Sequence, residues 1–501
     1  MKLYLDVGVT RIQEYIGRTA GADEGQLRRR RGASRMVTNA TDAGNFAVLG
    51  WQPNDETYTA EGVAHLVRPM AAPTQAECGI GLVEQVLIRL REALPHAYLE
   101  ASWARAETYA EALNRLESAR RLLGTPSLNM PDGRGALAWL PPVREDPYAS
   151  RCGSCGLAAA ESAVTDRKSQ PQCDDCILRD SQGRPAGARG PVGADRQTPE
   201  EQTLAAVSEL VDAPLRPVRD LNQLGRLPRR AVEKKNHIAT IYADGNNVGA
   251  LFEGLSPAQA TRVSKALDAS IKHAGRFALA QIHPSCDPAY LPGVVTTLAA
   301  DDVLITVPAS CGWAFAIHLV DAFNEEMASA MSREMRDSDL GAAPTLTAGV
   351  VFSHYKHPIE DAINAAETVM RSAKKATNGA AAAIGWADLT QTGTSEHSPS
   401  RPLQWFAGNR GLIDHVAGLA ASQRQKWMRD ISTAIQEHVP DETITGFLSD
   451  EARRLGLRAP GLEQLPLDDV IALLQIVRWW TPPSPGVGVS SPASHDRLEV
   501  S

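Results

Sequence analysis

The stretch that most limits how this chain can fold runs from 236 to 390, where apolar runs and amphipathic runs alternate and acidic turns fall at the ends of apolar runs. His237 to Ala243 (HIATIYA) reads as a buried strand and stops at Asp244-Gly245-Asn246-Asn247, a strong turn signal. A helix follows over Pro257 to Ala278, then strands over Gly293 to Leu298 and Val303 to Val307. Only Ala299-Ala300-Asp301-Asp302 separates those two strands, so they are expected to form a hairpin. Next come a helix over Gly312 to Met331, a strand over Thr345 to Ser353, a helix over Pro358 to Lys375 and a last strand over Ala380 to Ile384. The order is βαββαβ with one extra helix and strand, a ferredoxin-like pattern.

In such a sheet the first and third strands are antiparallel neighbours at the centre. Asp244, at the end of the first, and Asp301 and Asp302, at the start of the third, should therefore meet at one edge. Each motif alone is adequately explained as a turn. Together, on one unit, they make a carboxylate pair that can hold two divalent ions about 4 Å apart.

A second constellation is Cys152-x-x-Cys155 and Cys173-x-x-Cys176. Two close pairs of thiolates complete a closed tetrahedral site, so a structural zinc is expected there. The chain has 7 cysteines, an odd number, and its first residues, MKLYLDVGVTRIQEY, lack the apolar core of a secretion signal. A disulfide framework is disfavoured, and a reducing, cytoplasmic compartment is expected. No apolar run reaches the ~18 residues of a membrane helix. The net charge of −8 does not imply whole-chain attraction to nucleic acid, so any polyanion site must be a local patch.

The fold class that follows is mixed α/β (α+β). Residues 1–125 read as a first sheet domain, with Lys2 to Val9 a strand and helices over Gln75 to Leu94 and Ala106 to Leu123. Residues 126–200 form the four-cysteine insert, 201–235 a basic linker, 236–392 the second sheet domain, 393–485 a helical domain and 486–501 a tail. The run Arg28 to Arg31 with Arg35 reads as a solvated face or as phosphate contacts, and the linker has the same two readings. Trp479 and Trp480 read as core or interface.

Several segments carry a family resemblance. Tyr242–Gly249 (YADGNNVG) is similar to the Tyr-Ala-Asp-Gly-Asp-Asn-Met-Gly stretch of the polymerase-like large subunit of type III CRISPR effector complexes (Cmr/Csm type). Thr296–Pro308 (TTLAADDVLITVP) resembles that family's Gly-Gly-Asp-Asp hairpin, and Thr345–Lys375 its Ala-Gly-Val, His-Tyr-Lys strand and helix. Val9–Ile16 and Arg28–Val37 resemble the opening of its first palm domain.

The resemblance implies two ferredoxin-like palm domains, a zinc-ribbon-like insert and a helical C-terminal domain. It implies an antiviral defence protein that joins ATP into cyclic oligoadenylates with Mg or Mn, working with guide and target RNA through other effector subunits. Asp244 and Asp302 would hold the metals, with Asp301 a further candidate. Gly245, Asn246, Asn247, Ser264, Ala299 and Ala300 would line the nucleotide, and Lys374 and Lys375 would hold its triphosphate. The family usually begins with an HD nuclease domain, whereas this chain is expected to start at the first palm. Ala299-Ala300 stands where the family has Gly-Gly, and Asn246 where it has aspartate. A catalytically degenerate scaffold that binds RNA and other subunits, or a stand-alone cyclase of the diguanylate type, are the other readings the residues leave open.

Overall fold

The computed structural model describes residues 1–18, 25–58, 62–70, 80–123, 128–129, 135–141, 150–160, 171–183, 197–229, 234–252, 255–334, 342–390, 399–454 and 465–481. Residues 184–196, in the expected four-cysteine insert, and the whole expected tail lie outside these residues. Among the described residues no helix is long and apolar enough to cross a membrane.

The first sheet is built from β1 (Lys2–Thr10), β2 (Gln52–Pro53), β3 (Val63–Pro69), β4 (Tyr98–Ala106), β5 (Leu128–Asn129) and β6 (Gly135–Leu140), in the order β2-β3-β1-β4-β6-β5. Its neighbours are all antiparallel, and β1 lies between β3 and β4. Leu3, Leu5, Val7 and Val9 alternate into a core with residues from α1 (Ile12–Gly17), α2 (Gln26–Ala40) and α3 (Ile80–Ala93). The helix α4 (Tyr109–Leu123) packs on the other side through Tyr109, Ala112 and Leu116 against Tyr4. This sheet runs past the expected boundary at 125, because β5 and β6 pair back onto β4.

The four-cysteine segment ends in α5 (Asp174–Gln182), which crosses α2 at backbone contact. A Cβ on Gly32 would lie 1.9 Å from the Arg179 carbonyl oxygen, and one on Gly183 would lie 1.9 Å from that of Arg28. Only glycine admits that approach. Buried charges frame the crossing. Tyr15 Oη donates to Asp175 Oδ1 at 2.7 Å, and the Arg179 guanidinium lies 4.2 Å from the Tyr15 ring centre.

The stretch expected as a basic linker is a packed part of the fold. It holds α6 (Pro199–Leu210), opened by a capping box of Thr198 and Glu201, and α7 (Leu221–Arg226), capped by Asp220. Val207, Val218 and Leu224 are buried in the second core, and Arg216 bridges to Tyr290. The arginine run is likewise neither a solvated face nor a free phosphate site. Arg31 clasps Glu200 with two bonds of 2.5 and 2.6 Å, Arg35 pairs with Glu201, Arg28 reaches Asp180 at 3.2 Å, and Arg30 donates to Thr296 Oγ1 at 2.7 Å. The arginines of α2 point in different directions around the helix and tie the first sheet to α5, to α6 and to the second sheet.

The second sheet contains β7 (His237–Gly245), β8 (Val294–Ala299), β9 (Asp302–Pro308), β10 (Leu346–His354), β11 (Ala383–Asp388) and β12 (Ser400–Pro402), in the order β12-β11-β10-β7-β9-β8. The four strands β10-β7-β9-β8 keep the ferredoxin order, with β7 and β9 antiparallel at the centre. Its helices include α8 (Val248–Phe252), α9 (Pro257–Ile282), α10 (Gly312–Glu334) and α11 (Ile359–Ala376). The last, between β10 and β11, crosses so closely that a Cβ on Gly349 would lie 2.1 Å from the Ala366 carbonyl oxygen. The final strand begins three residues later than expected, because Asn378 and Gly379 are left-handed and Ala380 belongs to their turn.

Helices α12 (Leu403–Ala417), α13 (Ala421–Gln436), α14 (Asp441–Arg454) and α15 (Leu467–Trp479) follow and share one core with the second sheet. Trp479 stacks on Phe352 at 5.2 Å, and Trp480 donates to Asp414 at 2.7 Å. Both tryptophans are interface residues, as the sequence suggested.

Candidate functional site

Strand β7 delivers Asp244 one residue before its end. The register sets Ala243 opposite Val303, so Asp244 and Asp302 are the next facing pair of the β7–β9 ladder. Asp301 lies in the β8–β9 turn. A Cβ on Gly245 would come 3.0 Å from the Asp301 Cβ, so glycine is what lets the turn close against β7.

Three carboxylates this close resist ionising together. Burial, then the charges of Asp301 and Asp244, push the Asp302 carboxyl up to about 7. Burial and Asp244 raise Asp301 as well, opposed by Lys374. The Tyr242 hydroxyl is pushed well up, first by burial and then by Asp302. Lys374, on the last turn of α11, pairs with Asp244 and donates to the Gly245 carbonyl at 2.7 Å. It neutralises a carboxylate rather than standing free. Lys375 is exposed at the same helix end.

A cleft of about 910 Å³ opens beside this edge. Arg11 and, on α1, Ile12 and Gln13 form one wall, Tyr242, Thr297, Ala299, Ala300 and Asp302 another, and Asn364, Glu367 and Arg371 of α11 a third. Gln13 reaches toward Asp302 without closing a hydrogen bond, and both atoms of its amide are buried and unpartnered. The cleft therefore takes a wall from each sheet domain.

The remaining residues singled out in the sequence sit as follows. Asn246 is buried: its amide donates to Thr345 Oγ1 at 2.9 Å and to the Ala381 carbonyl at 3.3 Å, and accepts from Thr347 at 3.0 Å. These bonds clamp the end of β7 to β10 and to the segments that lead into β10 and β11, and Asn246 is not among the lining residues of the cleft. Asn247 is left-handed at φ 59° and donates to the Gly379 carbonyl at 3.1 Å. Ser264 is half-buried on α9 and is not among the lining residues of the cleft. Ala300 has φ 55°, the left-handed conformation that the glycine of the related motif would take without strain.

Sequence reasoning missed Thr297, Asn364, Glu367 and Arg371, which reach the cleft only through the packing of α11 and β8. It also missed Asp268, a carboxylate 3% exposed on α9. Its signal was there: an acid beside Leu267 and one turn from Ile271 on an apolar stripe.

The four cysteine sulfurs all lie within 4.8 Å of one another, with Cys155 and Cys173 at 3.9 Å. A tetrahedral ion with sulfur at about 2.3 Å sets its ligands about 3.8 Å apart, so the cluster fits a metal such as zinc.

Residues 237–382 match the family model of Cas10/Cmr2, second palm domain. No curated protein sequence matches the chain. Among solved structures, the chain is similar to Csm1 in T.onnurineus, at 14% identity and TM-score 0.54, over 95% of this chain and 69% of that one. It is similar over the same shares to the Csm1-Csm4 cassette in complex with pppApA, at 12% identity and TM-score 0.52. The cassette in complex with cA4 gives 12% and 0.50, again over 95% and 69%. At such identities the likeness is one of fold. Residues 237–382 thus carry a palm domain of the Cas10/Cmr2 type, and the chain as a whole shares the fold of Csm1.

Proposed function

We propose that the chain is an ATP-using nucleotidyl cyclase or polymerase of antiviral defence, converting ATP to cyclic or linear oligoadenylates at the cleft between its two sheet domains. The observation that carries this reading is the Asp244–Asp302 pair beside a cleft of about 910 Å³, large enough for a nucleoside triphosphate. That solved Csm1-Csm4 cassettes hold pppApA and cA4 supports the choice of substrate class.

The oxygen donors Asp244, Asp302 and Asp301 suit a hard divalent cation, which would offset both the burial and the neighbouring charges that raise Asp302. Bound Mg or Mn would lower the pKa of a ribose 3′-hydroxyl and neutralise the triphosphate. The chain's own residues do the rest. Gln13 offers a donor and an acceptor to a nucleotide in the cleft. Lys374 supplies the counter-charge at Asp244, and Lys375 a solvated point charge for phosphate. Ala299 and Ala300 line the cleft beside Asp302.

We further propose that Cys152, Cys155, Cys173 and Cys176 hold a structural zinc, that the protein is cytoplasmic, and that guide and target RNA reach it through other effector subunits. The scaffold reading remains the second one. It is favoured by the two methyl groups of Ala299 and Ala300, at the turn where glycine would let a nucleotide approach the backbone.

One experiment separates them. The protein is incubated with ATP and Mg²⁺ or Mn²⁺, with and without partner subunits and target RNA, and products are read by mass spectrometry. Oligoadenylates that vanish in an Asp301→Ala, Asp302→Ala variant support the cyclase. No product under any of these conditions refutes it and leaves the scaffold.

A further inference from the structure

The acidic hairpin does not hold its own shape. Ala300 sits at φ 55°, where an L-residue is strained, so something outside the turn must fix it. The backbone N–H of Ala300 donates to Asp268 Oδ1 at 3.1 Å. Asp268 is 3% exposed, and its second oxygen accepts from Lys272 Nζ at 2.6 Å and from the hydroxyl of Tyr58. Lys272 is one turn along the same helix. Tyr58 belongs to the first sheet domain, 210 residues away in sequence.

That tyrosine is anchored from behind. The loop carrying it contains Glu56, whose carboxylate accepts from Tyr4 Oη of β1 at 3.1 Å and whose carbonyl accepts from Thr261 of α9 at 3.3 Å. A continuous series of bonds therefore runs from the central strand of the first sheet, through Glu56, Tyr58 and Asp268, to the turn that precedes Asp301 and Asp302. A buried carboxylate needs its hydrogen bonds, so all three donors to Asp268 are held together.

We propose that Asp268 is the positioning residue through which Tyr58 of the first sheet domain sets the acidic hairpin at residues 299–302. Its consequence for metal binding rests on the reading of Asp302 as a metal ligand; the positioning itself does not. Moving the first domain away from α9 would loosen the hairpin, so a nucleotide site that takes one wall from each domain is complete only when the domains are closed on each other.

The test uses the full chain. Hydrogen exchange is followed at residues 299–302 and at β10 as a remote reference, and Mn²⁺ affinity is measured by electron paramagnetic resonance. One lost hydrogen bond corresponds to about a 10-fold change. Asp268→Ala is expected to speed Ala300 exchange at least about 10-fold, and Asp268→Asn, which keeps an oxygen for the Ala300 N–H, to restore most of it. Tyr58→Phe, remote from the turn, is expected to speed hairpin exchange and weaken Mn²⁺ binding by about 3- to 10-fold, leaving β10 unchanged. Wild-type hairpin exchange in either Asp268→Ala or Tyr58→Phe overturns the proposal. If exchange responds as stated but the wild type binds no Mn²⁺, the positioning role stands and the metal reading of Asp302 is what fails.

Discussion

Replacing Gly32 by alanine tests whether the helix crossing between α2 and α5 is as close as described. The added Cβ would meet the Arg179 carbonyl oxygen at 1.9 Å, while ordinary contact begins at 3.4 Å. The neighbour is backbone, so no side chain can turn aside, and the helices must part by about 1.5 Å. Overpacking of this kind costs about 1–3 kcal/mol. A shift that carries α5 off α1 as well breaks the buried Tyr15–Asp175 bond, worth about 1.5–3 kcal/mol for a charged acceptor. Allowing for partial relaxation, the docking of α5 should weaken by about 3 kcal/mol, or about 100-fold in its opening equilibrium. Hydrogen exchange at residues 174–182 reads this directly, and the Gly81→Ala variant serves as control because a Cβ there meets nothing within 4 Å. Exchange in Gly32→Ala that stays within about 3-fold of wild type would show that the backbones are not in contact, and the argument from close approach would fail.

Other expectations concern the acidic edge and the metal cluster. Because the Asp302 carboxyl is raised to about 7, the folded state holds its proton more tightly than the unfolded chain. Stability without metal therefore falls as pH rises from about 4 to about 7, by at most about 1.4 kcal/mol per pH unit, and is flat above. Asp302→Asn should be more stable than wild type at pH 8, converge with it near pH 4, and lose its advantage when Mg²⁺ is added; parallel curves would contradict this. Asn246→Ala should destabilise the chain by about 2–3 kcal/mol in denaturant unfolding, since it strands buried groups of Thr345, Thr347 and Ala381. Ala300→Gly should leave stability unchanged or raise it by up to about 1 kcal/mol, the relieved left-handed strain exceeding the extra entropy of the unfolded chain. Elemental analysis should find one zinc per chain, and stripping it should raise exchange in residues 150–160 and 171–183; an unchanged pattern would argue against a structural ion.

The second sheet was legible because its strands are apolar runs punctuated by unmistakable turns, and because the ferredoxin order fixes which ends meet. Asp244 and Asp302 came together for that reason alone. The late start of β11 was hidden in a run of alanines, which carries no boundary signal between Ala380 and Ala383. The arginines of α2 were visible as charge, but their partners Asp180, Glu200 and Glu201 lie more than 150 residues on, and no local pattern connects them. Asn246 looked like a turn residue, and only the arrival of Thr345, Thr347 and Ala381 makes it a clamp. Lys374 was read as a ligand for phosphate, whereas the fold gives it a carboxylate first.

The arginines of α2 limit how such a chain can be divided. Asp180 of the cysteine segment and Glu200 and Glu201 beside it neutralise Arg28, Arg31 and Arg35, and Arg30 of the same helix holds β8 three residues before the hairpin's first alanine. Excising the cysteine segment would leave some of those arginines without counter-charges inside a protein interior. The segment is thus no interchangeable cassette. It is a keystone: grafting, trimming or transplanting it disturbs the footing of both sheets, and whatever happens at the cysteines is felt one helix away from the acidic turn.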